Sequence, residues 1–450
     1  MARVSPALDW GAMDDWFEEL AGFLRIPSVS ADPAHAADVQ KAGGWVRDFI
    51  LEAGGEAELV DWHGQPLTIG ELRASGGAEA PTVLAYGHFD VQPPDPLELW
   101  ESDPFEPEIR DGYLYGRGTA DDKGQLYMLL AAARELALAG TLPVNVRFCC
   151  DGEEETGGHS IVEFLAEDER GADAAVIFDS GMIRRGLPAF NLATRGLAYF
   201  HLTLRTGERD LHSGVYGGAA LNAAHVLARS ISALVASDGR LVDSLRRGIV
   251  PPTAEELAGW AELPSGADEL ATQGASPADP RAAEEFYLRT FAEPALDVNG
   301  FESGSPQLQK TVLPVHAVAN MSIRLAPGQK VDEIAAEVER LLRGSVPQGA
   351  DLELECWSSS PPGLVSPDAK AVRIGLDAFE RALGARPALI RSGGTLPIVP
   401  ALADKGIPTI ITGFSLPDSN VHSPNERLVA EYIPAGIAAA RELYLGLAAL

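Results

Sequence analysis

"TVLAYGHFDV" (Thr82–Val91) decides how the rest of the chain is read. A short, continuous apolar run is the pattern of a strand buried on both faces. The run then delivers His88 and Asp90 instead of turn residues. In open α/β sheets the binding crevice lies at the carboxyl ends of the strands, so ligand-type side chains at that point suggest a site.

Working outward, strand and helix alternate. "DDKGQLYMLLAAARELALAG" (Asp121–Gly140) reads as a helix closed by glycine, and "VNVRFCC" and "AAVIFDS" read as two more strands. "IPTIITGF" (Ile407–Phe414) is another strand, and "YIPAGIAAARELYLGLAAL" is a final helix. This alternation predicts an α/β fold with a mostly parallel sheet flanked by helices. The middle of the chain reads differently. "TRGLAYFHLTLRT", "GAALNAAHVLARSISALVA", "TVLPVHAVANMSIRLAP" with a break, "KVDEIAAEVERLLRG" and "DLELECWSS" give β-α-β-β-α-β, the ferredoxin-like order. The Pro/Gly/Ala-rich acidic stretch Leu241–Pro306 reads as surface excursions with short helices. The expected organisation is a catalytic domain in two parts, 1–189 and 366–450, around an inserted ferredoxin-like lid or dimerisation domain, 190–365.

The length of 450 residues exceeds one hydrophobic core and fits two domains. A formal net charge of −30 speaks against nucleic acid or anionic membrane as partners. The three cysteines, Cys149, Cys150 and Cys356, show no CxxC or CxxH spacing, so neither a thiol redox motif nor a thiolate zinc site is suggested. "MARVSPALDWGAMDDWFEEL" is charged and amphipathic with no apolar signal core, and no apolar stretch approaches a membrane span. A cytoplasmic protein is expected.

Several strands end in possible ligands. His88 and Asp90 follow one, "DGEEE" (Asp151–Glu155) another, Asp179 a third, and His422 follows "IITGF" after a loop. Asp121 and Asp122 precede a helix, where anions are favoured. Three adjacent glutamates repel one another unless a cation sits among them. Mixed imidazole and carboxylate donors suit Zn²⁺, Mn²⁺ or Co²⁺. Two histidines with three carboxylates make a two-metal complement in which one glutamate ligates and its neighbour takes a proton from water. Each piece alone has an ordinary reading: a capped histidine, a solvated acidic turn, a helix start. Their order and number together point to a metal site.

The motifs "YGHFDVQP", "GRGTADDKG", "DGEEETGG", "DLHSGVYGG", "SIRLAPG", "SGGTLP" and "NVHSPNE" occur in that order. In this the chain resembles the M20 metallopeptidases, most of all the carnosinase and cytosolic nonspecific dipeptidase branch. The resemblance implies a dinuclear-metal hydrolase that cleaves dipeptides with a free C-terminal carboxylate. His88 and Asp179 would hold one ion, Glu155 and His422 the other, and Asp121 would bridge them. The ions would be zinc, with manganese or cobalt as alternatives. Glu154 would be the general base acting on a metal-bridging water, and Asp90 would orient His88. His212 would bind the scissile carbonyl oxygen, reaching into the site of the partner subunit in a homodimer. Arg324 would hold the substrate carboxylate, with Thr311 and Gly393, Gly394 and Thr395 lining the pocket. A cis Asp121–Asp122 peptide is also implied.

Two features depart from the branch. Ser392 stands where a carboxylate is usual, and Glu153 is an extra glutamate before the base and ligand. The other six histidines, His35, His63, His159, His201, His225 and His316, are read as packed or exposed side chains. Three other readings compete. An aminoacylase, deacylase or carboxypeptidase is poorly separated by sequence, although the likeness in "HSGVYGG" and "SIRL" favours dipeptides. A metal-dead scaffold would lack a ligand or base, and none is lacking. A nucleotide-binding protein would need GxGxxG or GxxxxGK[ST] after a strand, and "GRGTADDKG" is neither.

Overall fold

The computed structural model describes residues 13–77, 79–394 and 396–450. Of the N-terminal stretch, Met13–Leu24 is a helix, and residues 1–12 lie outside the described residues. The chain forms two compact units. One runs to Asn191 and resumes with Val365–Ala388 and Ala401–Leu450; the other comprises Leu192–Leu364 and Leu389–Pro400.

The first unit is built on a six-stranded sheet. Its order is Glu56–Trp62, Gln65–Leu72, Asn145–Asp151, Thr82–His88, Ala174–Phe178, Thr409–Thr412. The last four run parallel, and the first two form an antiparallel hairpin on one edge. Every residue of Asn145–Asp151 and Ala174–Phe178 is buried; the second is wholly apolar, whereas the first also buries Asn145, Arg147 and Asp151. The Lys123–Leu138 helix packs on the sheet and against Tyr432–Leu447, which in turn packs on Lys370–Leu383. Gly436 leaves room for Met128 between the last helix and Lys123–Leu138: a Cβ there would clash with the Met128 sulfur.

Two buried cations have found partners inside this unit. Arg147, in the middle of a central strand, grips Asp168 through Nη1 and Nη2 at 2.7 and 2.6 Å, and both side chains are buried. Lys123 donates from Nζ to the carbonyls of Phe23 at 3.2 Å and Ile26 at 2.6 Å, and lies over the Phe23 ring. Burial lowers its pKa to about 7.

The second unit carries a four-stranded antiparallel sheet in the order Ala295–Glu302, His316–Leu325, Gly196–Arg205, Asp351–Ser360. Alternate residues of Gly196–Arg205 are buried, and Phe200, Leu202 and Leu204 join a core with Val226, Leu227 and Ile231 of one helix and Ile334, Val338 and Leu342 of another. This is the ferredoxin-like arrangement, with one correction to the sequence reading. Its second strand is Ala295–Glu302, inside the stretch read as surface excursions, and not the front half of Thr311–Pro327. "ALDVNGFE" is an exposed edge strand with a register shift between Val298 and Gly300, so it lacks the alternation that marks a half-buried strand.

Candidate metal centre

The centre is assembled in the first unit from strand ends and two loops. Thr82–His88 ends on His88, which is fully buried, and Gly87 beside it has no side chain to obstruct Asp122: a Cβ there would sit 2.7 Å from Oδ2 of Asp122. That oxygen accepts the His88 backbone N–H at 3.1 Å. Asp121 precedes the Lys123–Leu138 helix across a cis Asp121–Asp122 peptide. Its Oδ1 lies 3.0 Å from His88 Nε2 and its Oδ2 lies 2.9 Å from His422 Nε2. His422 Nε2 also lies 3.1 Å from Oε2 of Glu155.

Two donor groups result. His88, Asp121 and Asp179 offer atoms within 4.8 Å of one another, and so do Asp121, Glu155 and His422. Asp121 belongs to both, one carboxylate oxygen facing each histidine.

Asp90 organises the turn that carries the glutamates. Its Oδ1 accepts the N–H of Glu154 at 3.2 Å, and its Oδ2 accepts the N–H of Glu155 at 3.1 Å and the Ser30 hydroxyl at 2.6 Å. The same carboxylate stands 3.3 Å from Nδ1 of His88, whose nearer partner is the Asp90 carbonyl at 3.1 Å. Gln92 donates from Nε2 to Glu155 Oε2 at 2.8 Å, which orients that carboxylate. Glu153 turns away: its Oε2 accepts both the N–H and the hydroxyl of Ser160, at the start of the His159–Glu167 helix.

The electrostatics are those of crowded acids in a dry place. Burial, reinforced by Asp122 and Asp121, holds Asp179 well above the usual carboxylate range. Burial lifts Glu154 to about 7, with Glu155, Asp121 and Asp90 adding to the effect against the opposing charge of His88. Burial opposes a charge on His88, but its bonds to Asp121 and Asp90 outweigh that and raise its pKa. Bonds to Asp121 and Glu155 raise His422 to about 10. Two imidazole nitrogens and three carboxylates, converging where negative charge is in excess, are the donor chemistry of a divalent cation site. The residues fit such a group.

In the second unit, Leu211–His212 pairs with Val312–Leu313, which sets His212 opposite Val312; the Thr311 carbonyl accepts the N–H of the next residue, Ser213, at 3.0 Å. His212 is exposed and its Nδ1 accepts the Gly214 N–H at 3.0 Å. Arg324 is half-buried in the central His316–Leu325 strand. Its charge acts on Arg195, whose N–H donates to Gly394 at 3.0 Å and whose Nε donates to the Gly393 carbonyl at 3.1 Å. Burial, with Arg324, lowers the Arg195 pKa to about 10. Thr395 lies outside the described residues.

Sequence reading missed Ser30, Gln92, Arg195 and the second task of Asp90. Gln92 stands within "YGHFDVQP", four positions after the histidine donor, and its place in that motif was a signal that could have found it. Ser30 carries no such signal; only the fold brings it to Asp90, 60 positions away.

The model of the peptidase family M20/M25/M40 matches residues 84–445, and the chain belongs to that family. Among curated relatives, the cysteinylglycine-S-conjugate dipeptidase of Corynebacterium striatum is 30% identical over 422 residues, covering 91% of this chain and 90% of that one. The beta-Ala-His dipeptidase of Homo sapiens is 28% identical over 445 residues, covering 92% and 86%. Among solved structures, an M20 family metallo-carboxypeptidase of Sulfolobus solfataricus superposes with a TM-score of 0.83 at 26% identity, covering 97% of this chain and all of that one, 100%. Among the described residues no helix is long and apolar enough to cross a membrane.

Proposed function

We propose that the protein is a metal-dependent dipeptidase that holds two divalent cations per chain and cleaves dipeptides bearing a free C-terminal carboxylate. The observation that carries this reading is the placement of Asp121, one oxygen toward His88 and the other toward His422. One carboxylate shared between two donor groups is the arrangement a dinuclear centre needs. His88 and Asp179 would hold one ion, Glu155 and His422 the other, with Asp121 in common; zinc suits these donors first, manganese and cobalt next. When bound, such cations polarise a carbonyl and make water more acidic.

The chain's own residues supply the rest. Glu154, with its pKa near 7, can take a proton from the attacking water and return it to the leaving amine. Asp90 fixes Glu154 relative to His88 by holding the backbone of one and facing the ring of the other. His212 is assigned the developing negative charge on the carbonyl oxygen. Arg324, with Thr311, Gly394 and Thr395, is assigned the substrate carboxylate, which a guanidinium fork suits. The names of the two curated relatives favour a dipeptide substrate. We place the enzyme in the cytoplasm as a homodimer in which His212 serves the neighbouring copy. The three free cysteines suit a reducing compartment.

A second reading, a carboxypeptidase or an N-acyl amino acid hydrolase, is favoured by the structural likeness to the Sulfolobus solfataricus enzyme. One panel separates the two. Metal content is measured, then hydrolysis of dipeptides, tripeptides and N-acyl amino acids, each with a free and an amidated C-terminus. The dipeptidase reading expects chelation to abolish activity, dipeptides to lead, and amidation to raise KM or remove turnover. A chelator-resistant hydrolase, or equal rates on amidated and free substrates, would sink it.

A further inference from the structure

Glu426 lies four positions beyond His422 and is fully buried. Its carboxylate is saturated. Oε1 accepts the backbone N–H of Ala120 at 2.8 Å and of Asp121 at 3.1 Å. Oε2 accepts the N–H of Gly118 at 3.1 Å and Nη1 of Arg117 at 2.7 Å. Arg117, also buried, turns Nη2 to the carbonyls of Pro93 and Ser423, both at 3.3 Å. The backbone continues the link, since the Glu426 carbonyl accepts the Gly116 N–H at 3.1 Å. One side chain thus joins the loop that carries His422 to the loop that carries Asp121, across 305 positions of sequence.

The His422 loop needs such an anchor. His422, Asn420 and Asn425 have φ of 60°, 54° and 59°, in the left-handed region. Non-glycine residues held there persist where the surroundings over-determine them. The His422 side chain is 53% exposed, so packing does not fix it. What fixes it is the loop's own attachment. Arg427 binds the Asp418 carboxylate at 2.8 Å and so joins the two ends of the loop, and the adjacent Glu426 enters the core.

We propose that Glu426 is a positioning residue that sets the Asp121 donor against the His422 donor, and so tunes the cation affinity of the Asp121, Glu155 and His422 group. The inference rests on the two-cation reading above. A carboxylate serves here because it accepts on both oxygens. Glutamine in its place presents an NH₂ to Arg117 and Gly118, or to Ala120 and Asp121, all of which are donors. Partners of this outer kind change metal affinity by about 10- to 100-fold.

The test is titration of the chelator-treated full chain with Co²⁺, followed by its visible absorption, for wild type and Glu426→Gln. Breaking a buried ion pair destabilises strongly. The double variant Arg117→Met/Glu426→Gln, which removes the cation with its partner, therefore carries the same measurement if the single variant fails to fold. The expected result is two ions bound by wild type, and in the folded variant one of the two bound about 10- to 100-fold more weakly with an altered spectrum. A purely structural role would lower the metal-free melting temperature and leave affinity and spectrum unchanged; that outcome overturns the inference while the two-cation reading stands. A wild-type chain that takes up no Co²⁺ overturns both.

Discussion

The carboxylate of Asp121 meets the imidazole of His422 at 2.9 Å, although 301 positions separate them in the chain of 450 residues. His422 approaches that oxygen from the loop side, while the other oxygen faces His88. The two donor groups therefore depend on Asp121 jointly and on their other members singly. Asp121→Ala is expected to strip about two ions per chain, and His422→Ala or Asp179→Ala about one, given a dinuclear centre. Metal analysis of the purified variants checks this. Equal losses from Asp121→Ala and His422→Ala would contradict a shared donor.

The three neighbouring glutamates should separate by function. Glu154→Gln is expected to keep its metal and lose roughly 10²- to 10⁴-fold in turnover, the usual cost of losing a general base. Glu155→Gln should weaken metal binding, since its Oε2 faces His422. Glu153→Gln should leave kcat/KM unchanged and lower stability by about 1 kcal/mol, because its carboxylate serves Ser160 at a helix start. Metal content, steady-state kinetics and urea midpoints on the three variants decide. Retained metal in Glu155→Gln with loss from Glu154→Gln would shift the assignment by one residue.

Acid should weaken the first unit through Asp168. Burial opposes its charge, but the bonds from Arg147 prevail and hold its pKa below the ordinary 3.8. A carboxylate depressed in the folded state adds stability above its unfolded pKa, and that stability is lost as pH falls through the folded value. At pH 7, Asp168→Asn should cost about 3–5 kcal/mol, since it strands the Arg147 guanidinium. The gap to wild type should narrow as pH falls below about 4. Denaturant midpoints from pH 7 to pH 3 test it, and a gap independent of pH would refute the assignment.

If His212 serves a neighbouring copy, two dead variants should rescue one another. Glu154→Ala and His212→Ala alone should each be nearly inactive. In a mixed dimer one site combines the intact Glu154 of one copy with the intact His212 of the other, and activity should return. Differential tags confirm that mixed dimers have formed. No recovery in such dimers would assign His212 to its own chain.

The parallel sheet was legible because most central strands are short, mainly apolar runs, such as "TVLAYGH" and "AAVIF", which admit few other placements. The candidate donors were picked out for a related reason: strand ends in an open sheet have one place to converge, and the structure brings these side chains together. The edge strand Ala295–Glu302 escaped because an exposed edge carries no burial pattern to read. Ser30 and Arg195 escaped for another reason, and so did the role of Glu426, although that residue closes "NVHSPNE". Each acts through hydrogen bonds to distant backbone or carboxylate groups, and no local periodicity records such bonds.

Lys123 ties a different part of the chain to the same place. Its ammonium is held by the carbonyls of Phe23 and Ile26, just past the first helix, while its own backbone follows Asp121 and Asp122 directly. Cleavage after Ile26 followed by release of the N-terminal segment would remove those carbonyls and leave a buried cation without its two acceptors. The amine would then discharge or draw in water, two residues from the shared carboxylate. Loss of the segment through Ile26 should therefore lower activity while the sheet is still intact, whereas trimming short of Phe23 should spare both Lys123 bonds.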